Sequence, residues 1–190
     1  MAATSYHSLS KTSARAMLAE IFDVDVRAFT YNGCMWVGDM RAMAEVPDSI
    51  SDEFERGRCY KLGTGRAKER GENAYELRPA ANYETLAALH VETPKGPLTQ
   101  ASQADTFVTV TRHRGRSHLV PYCRLVDGTD KEFYVPESYM AATAGIRGRA
   151  FRVHLGSLQF WPVAVSFDGD TEVKQLWMPA DVSVVRRVGF

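Results

Sequence analysis

Val26 to Val37 reads VRAFTYNGCMWV, and the Asn32-Gly33 pair at its centre decides the local architecture. Both residues tolerate the positive φ that a two-residue hairpin turn demands, and the flanking runs are rich in β-branched and aromatic side chains. The stretch predicts a strand from Val26 to Tyr31, a tight turn, and a strand from Cys34 to Val37. Upstream, Thr12 to Phe22 places Met17, Leu18, Ile21 and Phe22 at helical spacing, with Ser10 or Thr12 available as N-cap. A helix therefore feeds an antiparallel hairpin, which is the start of an α+β chain.

Downstream the middle of the chain, from about Met40 to Gln103, is the least regular part. Met40 to Glu45 predicts a short helical piece, and Tyr83 to Leu89 a second helix that stops before Thr93-Pro94-Lys95-Gly96-Pro97. From Thr106 onward the pattern turns to strands: Phe107 to Thr111, Leu119 to Val126, Glu132 to Val135, Ala150 to Leu155, Phe160 to Phe167, Val173 to Trp177 and Val182 to Val188. Asp127-Gly128 and Asp168-Gly169-Asp170 read as turns, and Pro136 to Ala144 as one helix. The class expected is α+β, a single domain over 1–190 with a mixed or antiparallel sheet, a few helices and a flexible end over residues 1–12.

The chain has 190 residues, 45% of them hydrophobic, enough to build a core and too many for a disordered chain. Its formal net charge of +0 argues against a general nucleic-acid coat protein, but leaves room for a local basic site. Cys34, Cys59 and Cys123 form no CxxC pair and have apolar neighbours, so buried thiols in a reduced compartment are expected rather than a zinc site. Neither a secretory h-region nor an apolar run of membrane-spanning length is found, which predicts a cytoplasmic protein.

Several segments carry candidate chemistry. Lys61 to Gly71 reads KLGTGRAKERG, and Gly63-Thr64-Gly65-Arg66 fits G-x-x-R opening a short helix from Ala67. Glycine amides and a helix N-terminus attract an anion, and Arg66, with Lys68 and Arg70, can hold phosphate oxygens. The same residues fit a solvated charged turn. Thr111 to His118, TRHRGRSH, concentrates Arg112, Arg114 and Arg116 with two histidines in a hairpin-loop pattern suited to a phosphate backbone, and Arg147 and Arg149 add a third basic group. Asp39 to Glu55 is acidic by contrast, which is compatible with a DNA-facing side on a neutral chain. Glu69 and Glu72 are among the carboxylates that can serve a Mg²⁺-assisted phosphodiester cleavage. His7 and His90 belong to no catalytic pattern; core or cap duty is expected for His90. Tyr134, Tyr139, Phe160 and Trp161 fit either core positions or base stacking.

His118 to Leu155, HLVPYCRLVDGTDKEFYVPESYMAATAGIRGRAFRVHL, resembles the plasmid fertility inhibition factors. The shared features are a strand ending Arg-Leu-x-Asp-Gly, an aromatic-Val-Pro step, a Tyr-containing helix, and Gly-Arg before an aromatic-Arg-Val strand. That family belongs to the ParB/sulfiredoxin-like superfamily, whose pattern places a Val-Pro segment upstream of G-x-x-R. Here Val46-Pro47-Asp48-Ser49-Ile50 precedes Gly63-Thr64-Gly65-Arg66, while Lys61-Leu62 stands where an acidic residue is usual. The resemblance implies a ParB/sulfiredoxin-like fold and a plasmid-encoded factor that blocks transfer of a competing DNA through a type IV secretion system. It implies a DNase with ATP hydrolysis, using ATP and Mg²⁺, with Arg66, Glu69 and Glu72 at the catalytic site. The alternative is a non-enzymatic inhibitor that binds the secretion coupling protein or the relaxase–DNA complex, in the cytoplasm or peripherally at the inner membrane.

Overall fold

The structure, a computed structural model, describes residues 6–71, 77–91, 102–113, 116–126, 132–144, 151–154, 162–167 and 172–180; for 102–120, 126, 132 and 151–154 it describes the backbone alone. In chain order the elements are α1 (Lys11–Ile21), β1 (Asp25–Tyr31), β2 (Cys34–Gly38), β3 (Ala42–Glu45), β4 (Cys59–Lys61), β5 (Lys68–Gly71) and α2 (Ala80–Val91). They continue with β6 (Ser102–His113), β7 (Arg116–Val126), β8 (Glu132–Pro136), α3 (Glu137–Ala144), β9 (Phe151–His154), β10 (Val163–Phe167) and β11 (Gln175–Trp177). Eight strands form one sheet in the order β5-β4-β1-β2-β3-β11-β10-β9, and β6-β7-β8 form a second. Every described pairing is antiparallel. The chain is α+β, as expected, with antiparallel sheets and few helices.

The large sheet is buried on both faces where β1, β2, β3, β10 and β11 meet, because alternate residues feed two separate cores. Val26, Ala28, Val37, Ala42, Ala44, Val163, Val165 and Trp177 lie with Met17, Leu18 and Ile21 of α1, Tyr139 of α3, and Cys123, Leu125, Phe133 and Val135 of the small sheet. Their strand neighbours Phe29, Trp36, Met43, Ala164 and Leu176 lie with Ala80, Tyr83 and Ala87 of α2. Two covered faces explain the unbroken apolar run Cys34-Met35-Trp36-Val37, which a one-faced sheet would interrupt with polar residues.

The local signals hold where they are strongest. Asn32 and Gly33 take φ of 48° and 75°, the positive pair of the two-residue turn. Ser10 caps α1, its Oγ accepting from the Ser13 N–H at 3.2 Å. A buried polar network then ties helices to sheet. Gln175 Oε1 accepts from Trp177 Nε1 at 3.0 Å and Thr143 Oγ1 at 3.2 Å, so the amide links β11 to α3.

Two expectations change, and one open choice resolves. Met40 to Glu45 is not helical: Ala42–Glu45 is strand β3, hydrogen-bonded between β2 and β11. Ladder pairing on both edges outweighs the helix propensity of Ala, Met and Glu. The expected flexible end over 1–12 gives way from Tyr6, whose ring is buried against Phe167 and whose hydroxyl donates to the Glu45 carbonyl at 2.6 Å. Tyr134 and Tyr139 are core residues, so they are not open to stacking bases. Phe160, Trp161 and the expected strand from Val182 to Val188 lie outside the described residues.

Candidate functional site

Gly63-Thr64-Gly65-Arg66 forms the exposed turn between β4 and β5. The helix expected from Ala67 is absent. Lys68–Gly71 instead pairs with β4, Lys68 opposite Lys61 and Glu69 opposite Tyr60. Strand pairing satisfies this backbone, whereas a four-residue charged helix would not survive its nucleation cost. The turn consequently has no helix N-terminus to lend it partial positive charge. Its Ala67 N–H is committed to Glu53 Oε2 at 3.2 Å, and Glu53 also holds Arg15. The space beneath the turn, against Leu18, Ile50 and Phe54, is about 10 Å³, room for one water rather than a phosphate. Gly63 and Gly65 have open space where a Cβ would stand, so close backbone approach is not what requires glycine there.

The charges around this turn are partly spent. Arg70 lies 3.6 Å from Asp25, and Glu69 lies 3.6 Å from Arg58. Arg66 and Lys68 form no ion pair with another described residue and face solvent. Glu72 lies outside the described residues. Among those described, no three His, Cys, Asp or Glu side chains converge as a metal site.

The second basic group lies on a long two-stranded ribbon. β6 and β7 pair from Ser102↔Val126 to His113↔Arg116, with Arg112 opposite Ser117. Arg112 and Arg116 therefore stand at the same end of the ribbon, within two residue pairs of its turn. Arg114, Arg147 and Arg149 lie outside the described residues. The ribbon and the Gly63–Arg66 turn belong to different sheets.

Of the six acidic residues from Asp39 to Glu55, Asp39, Glu45 and Glu53 are buried, while Asp48, Asp52 and Glu55 are exposed. Asp39 is buried in the β2–β3 turn, where its Oδ1 accepts from the backbone N–H groups of Arg41 at 2.6 Å and Ala42 at 2.7 Å. Glu45 is buried beside Lys174, 3.1 Å away. His7 Nε2 lies 2.9 Å from Glu45 and its Nδ1 3.0 Å from Asp48. Lys174 also reaches Glu172 at 3.2 Å. Desolvation pulls the Lys174 ammonium down, but Glu45 and Glu172 outweigh it and leave the group above its ordinary value. Burial pushes the Cys123 thiol up to about 11 and the Cys34 thiol upward as well, consistent with inert rather than reactive cysteines.

A cavity of about 240 Å³ opens between α2 and the β2–β3 turn, a feature the sequence reading missed. Tyr83, Leu86 and His90 line it from one helix face at spacings of three and four residues, the signal that could have revealed it. Asp39 and Arg78 complete its polar lining, and Met40, Met43 and Met178 contribute soft apolar walls. Burial raises the Asp39 carboxyl above its ordinary value, opposed by the Arg41 and Ala42 amides. It likewise raises the Tyr83 phenol. The Arg78 backbone N–H approaches that hydroxyl closely enough to oppose the shift, but no full hydrogen bond forms. Tyr83 is stacked on Phe29 at 5.6 Å, which fixes its ring.

Comparison with known proteins finds no matching family model, no matching curated protein and no matching solved structure. No helix among the described residues is long and apolar enough to cross a membrane.

Proposed function

We propose that this chain binds DNA through the β6–β7 ribbon and, as a fertility inhibition factor, blocks export of a competing DNA through a type IV secretion system without hydrolysing it. The supporting observation is the ribbon itself: its pairing carries Arg112, His113 and Arg116 to one end of a two-stranded antiparallel arm. A β-ribbon matches the width of a DNA groove, and arginine forks onto phosphate oxygens. The resemblance of 118–155 to fertility inhibition factors begins on the second strand of this arm, which supports transferred DNA or a relaxase–DNA complex as the target. The secretion coupling protein is the protein partner that this reading admits.

A second reading, a DNase with ATP hydrolysis, draws on the exposed Arg66 and Lys68 at the β4–β5 turn. In it Arg66 holds a phosphate of DNA or ATP, and Glu69 or Glu72 orients water or Mg²⁺. It is the weaker reading because Ala67 N–H and Glu69 already have partners. One experiment separates the two. Duplex binding is followed by fluorescence anisotropy across a salt series for wild type and an Arg112/Arg114/Arg116 triple alanine. The first reading expects the triple variant to lose affinity and to flatten the salt slope by about 0.9 per lost phosphate contact. Unchanged binding and slope refute it. Plasmid DNA incubated with Mg²⁺, with and without ATP, stays intact on the first reading; cleavage abolished by Arg66→Ala establishes the second.

A further inference from the structure

The cavity between α2 and the β2–β3 turn is graded from floor to mouth. Met43 and Leu176 are buried at its floor, and Leu86 is half-buried on its side. Met40 and Met178 stand 49% and 41% exposed where it opens. Among the described residues only four large apolar side chains are exposed, and these are two of them. Apolar surface gathered around a concavity marks a place that something covers. Unbranched thioether chains adapt to the shape of an apolar guest, and three of them line this one.

The polar lining divides by access. Asp39 Oδ1 takes the Arg41 and Ala42 N–H groups, and its side chain is only 4% exposed. The Tyr83 hydroxyl and His90 Nδ1 have almost no accessible surface and lie out of a ligand's reach. Arg78 is the opposite case. It lines the cavity, is exposed, and forms no ion pair with a described residue. Its planar fork is therefore open to a carboxylate, with no existing pair to break first.

We infer that this cavity binds an amphipathic monocarboxylate, with its hydrocarbon tail among the methionines and leucines and its carboxylate on Arg78. Size sets the tail. A cavity of about 150 Å³ takes a six-carbon ring, so 240 Å³ takes a tail of about eight to ten carbons. An ammonium head would meet Arg78 as a like charge, and a neutral head would leave the guanidinium unused. The site lies on the large sheet, whereas the ribbon belongs to the small one.

The test uses the full chain with straight-chain probes, followed by calorimetry and saturation-transfer NMR. Butanoate, hexanoate, octanoate and decanoate should bind with affinity rising about fourfold per added methylene, and dodecanoate should gain little more. Octanol should bind severalfold more weakly than octanoate, and octylammonium more weakly still. Arg78→Ala, a change at an exposed position, should bring octanoate down to the affinity of octanol, and Arg78→Lys should restore part of the difference. Leu86→Trp, which fills the cavity, should abolish octanoate and octanol binding together; if it unfolds, the Arg78 pair still decides. The assignment is overturned if octanoate fails to bind at millimolar concentration, or if affinity does not depend on chain length. It is overturned equally if Arg78→Ala binds octanoate as tightly as wild type. Octanol matching octanoate would make the cavity an apolar docking face without head-group recognition, and octylammonium binding best would make Asp39 the anchor; either result refutes the carboxylate. None of the probes carries phosphate, so the outcome is independent of whether the ribbon binds DNA.

Discussion

The β3–β11 pair buries a carboxylate beyond each of its ends, and the two are treated differently. At one end Glu45 meets Lys174 at 3.1 Å, with His7 and Glu172 closing the cluster. At the other, Asp39 has backbone amides on one oxygen and little on the other, beside an unmatched tyrosine and an open cavity. A charge met by counter-charges holds structure together, while the cavity beside Asp39 leaves the other end open to a ligand.

Removing one partner at the closed end should have the largest effect. Lys174→Met strands a buried Glu45 and is expected to cost about 3–5 kcal/mol in urea unfolding. Adding Glu45→Gln should recover much of that, and no recovery would mean that Lys174 acts through packing. Gly38→Ala tests how tightly the open end is built. Its Cβ would meet Met43 Cγ at 2.8 Å and the Ala42 carbonyl at 3.3 Å, so a loss of roughly 1–3 kcal/mol is expected.

Asp39→Asn should be milder, within about 1.5 kcal/mol of wild type at neutral pH. It should also change the pH profile. Burial holds the Asp39 carboxyl above its ordinary value, so the folded chain binds that proton more tightly than the unfolded chain. The Asp39 contribution therefore falls as pH rises from the ordinary carboxylate value through the raised one, and Asp39→Asn lacks that fall. Denaturation of both forms at acidic and neutral pH reads the difference directly; parallel profiles would remove Asp39 from the account. Tyr83→Phe should be neutral or stabilising by up to about 1 kcal/mol, because it deletes an unpartnered hydroxyl. The smallest effect belongs to Gly63→Ala and Gly65→Ala, each within about 0.5 kcal/mol in thermal unfolding, since a Cβ meets nothing there.

What the sequence showed was what it stores locally. The Asn32-Gly33 hairpin, the Ser10 cap and the α2 and α3 segments depend on neighbours within a few positions. Strand β3 was missed because Ala42-Met43-Ala44-Glu45 favours a helix in isolation, and one of its two partners is Gln175–Trp177, far along the chain. Strand β5 was missed for a related reason: the charged segment from Ala67 reads as a helical start until Cys59–Lys61 offers it a ladder. The cavity was hidden because its lining comes from four stretches, around Asp39, Tyr83, Pro162 and Leu176. Only the Tyr83-Leu86-His90 spacing marked it, and that spacing reads equally well as core.

Strand β5 also has a consequence for life in a crowded solution. It is the terminal strand of the eight-stranded order, and its residues Lys68, Glu69, Arg70 and Gly71 are all exposed. An unpaired strand edge is a template on which another chain can polymerise, and closely spaced charges are the common deterrent. Among the described residues no strand pairs with the outer edge of the KERG segment, and its charges would discourage one copy of the chain from growing onto the next there.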